Sequence, residues 1–479
     1  MSDALARDVP NHPAASGNFS EPYETLRQRH IVDMRARAPQ VLERLSWPAE
    51  RLKAERNRRL RDLVHFAKAH SRWHRARLTH VDPDRVTEDS IADIPPMTKH
   101  DLMENFDAIV TDPRVTLDVC EAHLASLKSD AYLMGRYHVN ASGGSSGRRG
   151  LAVFDWDAWA EFYLAFMRQL IRWRMRTAGS ANKPIVGAAV AAQDPTHASG
   201  SLPVTFSDPA SSVWHRFPVT LPLDEIVAGL NRVKPEVIVG YPSLLHQLAF
   251  AAQRGALDIS PALIISSSEP LLAEIRSAAN AVWSAPILNN WASTEAGAMA
   301  SSCGVGPGLH LSDDLLIVEP VNETGEPVAI GTRSAKVFAT PLFNASPLPV
   351  IRYELTDEIT LLEEPCPCGS AHRLVADIEG RLDDMFKYTD RATVHPHVFR
   401  SRLGKERYIV EYQVRQTADG ADIDIHCNGH VELDRLRRLL MDDLERVGLP
   451  GSEIAIAPVD RIERPASGKL KRFVQLRMQ

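Results

Sequence analysis

Residues 235–255 read PEVIVGYPSLLHQLAFAAQRG: a short apolar run, Val237-Ile238-Val239, closes on small and polar residues and passes directly into a helical stretch. A run of this length bounded by turn residues predicts a buried strand, and apolar residues at helical spacing beyond it predict an amphipathic helix. The strand pattern recurs in KPIVGAAVAAQ (183–193) and PALIISSSEP (261–270), with LDEIVAGLNRV (223–233) as a further helix between them. Strands alternating with helices imply βα units and a largely parallel sheet, hence an α/β fold. In such sheets ligands bind beyond the carboxyl ends of the strands, so the residues closing each apolar run are candidate contacts.

Upstream, ERLKAERNRRLRDLVHFAKAHS (50–71) and DAWAEFYLAFMRQLIRWRMR (157–176) predict long helices, and Thr98 is placed to cap another. Downstream of about residue 315 the texture changes. DLLIVEPV, SAKVFATPL, LPVIRYEL and DEITLLEE predict a β-rich subdomain packed on the α/β part. Beyond about residue 382, RYIVEYQVRQ, DIDIHC and HVELDRLRRLLMDDLERVG predict a small α+β unit. The expected division is therefore a large unit over 24–381 and a small one over 382–479, with residues 1–23 disordered. The 479 residues are too many for one core, which agrees with that division.

Bulk composition narrows the function classes. A hydrophobic fraction of 44% with 24% charged residues is that of a soluble globular protein. A net charge of −6 argues against a general nucleic-acid binder. No apolar run reaches membrane-spanning length, and the polar amino terminus lacks a signal-peptide core, so a cytoplasmic location is expected. Five cysteines in so long a chain do not make a disulfide framework.

NASGGSSGRRG (140–150) packs four glycines, three serines and two arginines into eleven residues. Glycines let the backbone approach a ligand, successive amides form an anion nest, and hydroxyls and arginines add donors for phosphate. The competing reading is a flexible Gly/Ser linker. It is not a Walker loop, since no Gly-Lys-Ser/Thr closes it, and no G-x-G-x-x-G dinucleotide fingerprint follows a strand elsewhere.

Five further segments favour the phosphate reading. NNWASTEAG (289–297), VIRYELTDE (350–358), EGRLDDMFKY (379–388) and ERPASGKLKRF (463–473) resemble, in order, the Thr-Glu, Arg-Tyr-x-x-Gly-Asp, hinge and Gly-Lys motifs of adenylate-forming enzymes. VGYPSLLHQLA (239–249) resembles the phenylacetate–CoA ligase branch of that superfamily.

The resemblance implies ATP-dependent activation of an aromatic or small organic acid as its acyl-adenylate, then transfer to CoA. It implies that Ser142, Gly143, Gly144, Ser145, Ser146, Gly147 and Arg148 cradle phosphates, that Thr294 binds the α-phosphate, and that Glu295 holds Mg²⁺. Asp357 would take the ribose hydroxyls. Ser268, Glu269, Pro270, Trp291, Ala292 and Ser293 would border the nucleotide, and Tyr241, Pro242, Ser243, Trp291 and Ala292 the acid. Arg352 and Arg381 are candidates for phosphate or hinge contacts, with structural salt bridges as the alternative. Asp383 or Asp384 would be the pivot of a mobile carboxy-terminal domain. Lys469 would be its catalytic lysine, with Lys471 the rival, and relatives are often homodimers.

Departures from the motif forms leave acid and acceptor open. Arg148 replaces lysine, Trp291-Ala292 replaces Tyr-Gly, and Thr356 replaces glycine. An amine, a carrier-protein thiol or nitrite chemistry are alternative second halves, and a non-catalytic nucleotide-binding module is the rival class.

Cys303, His310, Cys366 and Cys368 form a Cys-x₆-His pair and a Cys-x-Cys pair, a Cys₃His set suited to structural Zn²⁺. His372 is an alternative fourth ligand, and free thiols are the alternative to a metal. The expected zinc site clips the 303–310 loop to the β-rich subdomain.

Overall fold

The structure, a computed structural model, describes residues 21–142, 150–177, 183–191, 193–219, 221–378, 385–388, 392–394, 396–404, 406, 408–464 and 470–476. Six helices come first: α1 (Tyr23–Glu43), α2 (Ala49–His70), α3 (Arg72–Arg77), α4 (Lys99–Glu104), α5 (Phe106–Ile109) and α6 (Leu117–Ser126). A hairpin of β1 (His138–Ala141) and β2 (Leu151–Phe154) follows, then α7 (Trp156–Thr177).

The α/β part is built from β3 (Ile185–Ala191), α8 (Ala198–Thr205), β4 (Ser212–Pro218), α9 (Leu223–Val233), β5 (Val237–Gly240), α10 (Pro242–Gln253), β6 (Leu263–Ser267), α11 (Ala273–Asn280) and β7 (Ile287–Ser293). After β7 the chain doubles back through β8 (Gly297–Ser301) and β9 (Leu309–Leu311). A three-stranded antiparallel sheet contains β10 (Leu316–Val321), β11 (Lys336–Pro341) and β12 (Tyr353–Leu355). The two-residue strand β13 (Leu374–Val375) returns to pair with β9.

The eight-stranded sheet has the order β13-β9-β8-β7-β6-β5-β3-β4, parallel from β4 to β7 and antiparallel from β7 to β13. Parallel strands need apolar cover on both faces. One face is closed by Ile226 and Leu230 of α9 and Leu244 and Leu248 of α10, packed with Ile238 and Ile264. On the other, Leu170 of α7 joins Leu263, Ile265 and Leu288. The segment DEITLLEE, expected as a strand, makes isolated bridges at Asp357, Thr360 and Leu361 and no regular strand, and two glutamates and a proline follow them. Among the described residues no helix is long and apolar enough to cross a membrane.

The carboxy-terminal part contains the short pair β14 (Phe386–Lys387) and β15 (Thr393–Val394), α12 (His397–Leu403), β16 (Ile409–Gln416), β17 (Gly420–Cys427), α13 (Leu433–Arg446), β18 (Glu453–Pro458) and β19 (Phe473–Val474). β16 and β17 are antiparallel, flanked by β19 and β18 in parallel, and Leu436, Leu440 and Leu444 of α13 pack onto Ile423 and Ile425.

His74 of α3 ties the amino-terminal helices to the β-rich subdomain. Its Nε2 lies 3.0 Å from the Pro349 carbonyl and its Nδ1 3.4 Å from the Arg77 guanidinium. That environment selects a neutral ring, donating from Nε2 and accepting at Nδ1. Burial, helped by Arg77, lowers its pKa to about 3. A folded-state value below the unfolded one means that its contribution is complete above about pH 6.5 and is lost as the pH falls through the folded value. The melting temperature should therefore fall between pH 6.5 and 4, and His74→Gln should flatten that profile in a thermal-shift titration. An identical slope in the variant would refute this assignment.

Candidate active site

The hairpin joins the two ends of the serine-rich stretch. The Ser142 amide donates to the Gly150 carbonyl at 2.8 Å, and the Gly150 amide donates to Ser142 Oγ at 2.8 Å. Gly143, Gly144, Ser145, Ser146, Gly147 and Arg148 lie outside the described residues. Lys99, at the first position of α4, donates Nζ to Ser142 Oγ at 3.3 Å. A capping box places it there: Thr98 Oγ1 accepts the Asp101 amide and Asp101 accepts the Thr98 amide. A Cβ on Gly150 would stand 2.8 Å from Glu295 Oε1 and 3.3 Å from both Lys99 Cε and Ser142 Oγ. Only glycine leaves room for these three groups to meet.

Glu295 sits in the turn where β7 reverses into β8, with half-buried Thr294 before it and Ser293 Oγ accepting the Ala296 amide at 2.9 Å. It is 4% exposed, and among the described residues one hydrogen bond reaches its carboxylate, from the Tyr353 hydroxyl at 3.1 Å. A buried carboxylate with a single donor has acceptor capacity left over. Carboxylate oxygens of this kind suit a hard cation such as Mg²⁺. Tyr353 is thus more than a packed aromatic. Asp357 is buried just beyond β12.

Arg352 does not serve phosphate. Its guanidinium lies 2.9 Å from Glu319, donates to the carbonyls of Ala92 and Ile94, and covers the Phe338 ring at 4.8 Å. Its donors are spent on fastening the loop before α4 to β10. Arg381, Asp383, Asp384 and Lys469 lie outside the described residues. The Lys471 carbonyl accepts from Gln413 Nε2 at 2.9 Å.

At the ends of β5 and β6 the expected acid pocket is displaced in part. Tyr241 is 2% exposed and packs into the core around α9 and α10 with Leu244 and Leu245. Buried Pro242 opens α10. The Ser243 amide donates to Glu269 at 3.0 Å, on the loop after β6, and its hydroxyl accepts from Arg464 of the carboxy-terminal part at 3.1 Å. Ser268 and Pro270 are exposed, and Ser268 takes the left-handed region at φ 73° to turn the chain off β6. Trp291 is buried on β7 beside half-buried Ala292, and its indole Nε1 has no partner among the described residues. Across β1, His197 Nδ1 lies 2.7 Å from the Ala141 carbonyl and bolsters the strand that leads into Ser142.

Lys99, His197 and Arg464 were not apparent in the sequence. The Thr98-Lys99 capping signal could have pointed to Lys99, but its partner is 43 residues away.

The thiol quartet assembles as expected. The ligand atoms of Cys303, His310, Cys366 and Cys368 all lie within 4.8 Å of one another. Cys303 Sγ is 3.5 Å from Cys366 Sγ, and Cys368 Sγ is 3.4 Å from His310 Nε2. Tetrahedral zinc with ordinary bond lengths would set such edges at roughly 3.5–3.8 Å, so the set fits the ion. Burial opposes ionisation of Cys303, but His310 and the amides of Gly306 and Val305 outweigh it and bring the thiol down to about 6. His372 is not the fourth ligand: its Nδ1 and Nε2 face the carbonyls of Leu311 and Arg44 at 2.9 and 3.0 Å. The quartet staples the β8–β9 loop to the turn before β13, at the edge of the main sheet rather than at the three-stranded sheet.

No family model matches the chain. It is 24% identical over 285 residues to phenylacetate-coenzyme A ligase of Thermus thermophilus, a match spanning 51% of this chain and 61% of that relative. The chain thus aligns with less than two thirds of the length of that curated relative. A 2-hydroxyisobutyryl-CoA ligase solved in its postadenylation state with 2-HIB-AMP overlays with a TM-score of 0.69 at 18% identity, covering 91% of both chains. The chain shares the fold of that ligase. Within that fold, the same ligase in its thioesterification state with 2-HIB-AMP and CoA overlays less closely, with a TM-score of 0.57 at 19% identity over 90% of this chain and 91% of the other.

Proposed function

We propose that the protein is an AMP-forming acid–CoA ligase, which activates an aromatic or small organic carboxylic acid with ATP and passes the acyl group to CoA. The observation that carries this reading is the meeting of Lys99, Ser142 and Glu295 around Gly150, where three distant segments bring an ammonium, a hydroxyl and a carboxylate together. The names of the Thermus relative and of the 2-hydroxyisobutyryl-CoA ligase support it.

In the first step the acid carboxylate attacks the α-phosphorus of ATP, the bond to the bridging oxygen breaks, and pyrophosphate leaves. Two anions must be brought together, so the site must supply positive potential at a fixed place. The serine-rich loop and Arg148 hold the outer phosphates, Lys99 adds a cation at the loop's base, and Thr294 bonds the α-phosphate. Glu295 would hold Mg²⁺, which would supply positive charge against the phosphate oxygens. Asp357 accepts the ribose hydroxyls. Lys469 steadies the charge built up as the carboxylate attacks. The unit over 382–479 then turns about Asp383 or Asp384, and the CoA thiolate displaces AMP. Zn²⁺ held by the Cys₃His quartet has a structural part only.

The test is a panel of aromatic and small aliphatic acids incubated with ATP and Mg²⁺, with and without CoA. Pyrophosphate release with at least one acid, and a thioester when CoA is present, is the expected result. Pyrophosphate without thioester would move the acceptor to an amine or a carrier thiol, and no release with any acid would defeat the reading. Lys469→Ala should slow release by ~10²–10³-fold while ATP still binds in calorimetry.

A further inference from the structure

Arg464 joins three elements at once. Its guanidinium donates to Ser243 Oγ at the start of α10, pairs with Glu411 on β16, and lies 3.8 Å from Glu269 Oε1 on the loop after β6. The same Glu269 Oε1 accepts the Leu470 amide at 2.7 Å, and its Oε2 accepts the Ser243 amide at 3.0 Å. One carboxylate therefore touches Arg464 and Leu470, the two residues that bracket the segment 465–469 containing Lys469. His246 of α10 adds a fourth tie, with Nδ1 2.8 Å from the Val410 carbonyl. The side chains of Arg464, Glu269 and Glu411 are 12%, 6% and 1% exposed, so the charges are largely sheltered from water.

We propose that Arg464 is a positioning residue: with Glu269 it latches the carboxy-terminal part onto α10 and the loop after β6, so that Lys469 is delivered for adenylation and released for the second step. This rests on the ligase reading above. Charge-assisted bonds in a sheltered site are strong and directional, so the latch fixes where the segment's ends lie rather than merely adding contact area. A conformational equilibrium moves only through contacts that differ between its states. The latch is such a contact, because turning the carboxy-terminal part away separates Arg464 from Ser243 and Leu470 from Glu269. The closer overlay on the postadenylation form than on the thioesterification form agrees with a latched arrangement.

The full-length chain permits two measurements. The first needs no substrate. Glu269 is the acceptor for the amides of Ser243 and Leu470, so hydrogen exchange should find both protected in the wild type and both unprotected in Glu269→Ala. The second separates the half-reactions, with phenylacetate as the probe acid or, should the wild type prefer another, the best acid of the panel. Arg464→Gln should slow pyrophosphate release from ATP and the acid by ~10²-fold, the cost of a misplaced catalytic group. It should leave thioester formation from the preformed acyl-adenylate and CoA within about threefold of wild type, and Arg464→Lys should recover part of the loss. Glu269→Gln, which keeps the side chain's size, should show the same split if Arg464→Gln proves unstable. Equal slowing of both half-reactions, unchanged pyrophosphate release, or unprotected amides in the wild type would overturn the latch. Protected amides in a wild type that releases pyrophosphate with no acid would instead defeat the ligase reading while supporting the latch.

Discussion

Glu295→Gln is expected to release pyrophosphate ~10²–10³-fold more slowly than wild type at saturating Mg²⁺, with its melting temperature nearly unchanged. The two side chains have the same shape, and glutamine still accepts the Tyr353 hydroxyl that reaches Oε1 at 3.1 Å. What disappears is one negative charge, at 4% exposure, beside Lys99 and Ser142. A neutral amide offers a cation one oxygen and no compensating charge, so Mg²⁺ affinity falls and the phosphates lose their neutralising partner. Initial rates across a Mg²⁺ titration are the measurement. Higher Mg²⁺ should recover part of the rate, and a variant that matches wild type across the titration would remove Glu295 from the site. Glu295→Ala is the poorer test, since it also strands the Tyr353 hydroxyl.

The second large effect concerns stability. Purified protein should contain about one zinc per chain, and stripping it, or replacing Cys368 with serine, should lower the melting temperature by on the order of 10 °C. The reason is local. The loop between β8 and β9 and the turn before β13 meet through four ligand atoms, and β13 itself is only two residues long. So short a strand has few ladder bonds to hold it once the staple is gone. The packing is also tight: a Cβ on Gly306 would come within 2.7 Å of Cys366 Sγ. Metal analysis by mass spectrometry with a melting curve before and after chelation decides the matter. A metal-free protein with the same melting point as untreated material would show that the thiols are free.

The legible parts of this chain were those written in local pattern. LDEIVAGLNRV folds as α9 over the residues expected, because its apolar positions recur at helical spacing and Pro222 starts it. The strands β3, β5 and β6 lie where their apolar runs lie, and the cysteine spacing foretold the quartet. Long-range use of a side chain was not legible. VIRYELTDE presents Arg352 in a nucleotide motif, yet the arginine turns towards Glu319 and the carbonyls of Ala92 and Ile94. Tyr241 and Ser243 end a strand as pocket residues would, but one is claimed by core packing and the other by Glu269 and Arg464. Such choices depend on partners as many as 260 residues away, which no periodicity encodes.

The hairpin that bears the serine-rich stretch forms a two-stranded sheet of its own, and the main sheet closes without it. Its two ends are tied by the Ser142 amide on the Gly150 carbonyl and the Gly150 amide on Ser142 Oγ. Lengthening, shortening or recharging residues 143–149 is therefore a local edit that leaves the frame untouched. A chain built this way can change the side chains of that stretch without re-folding anything else.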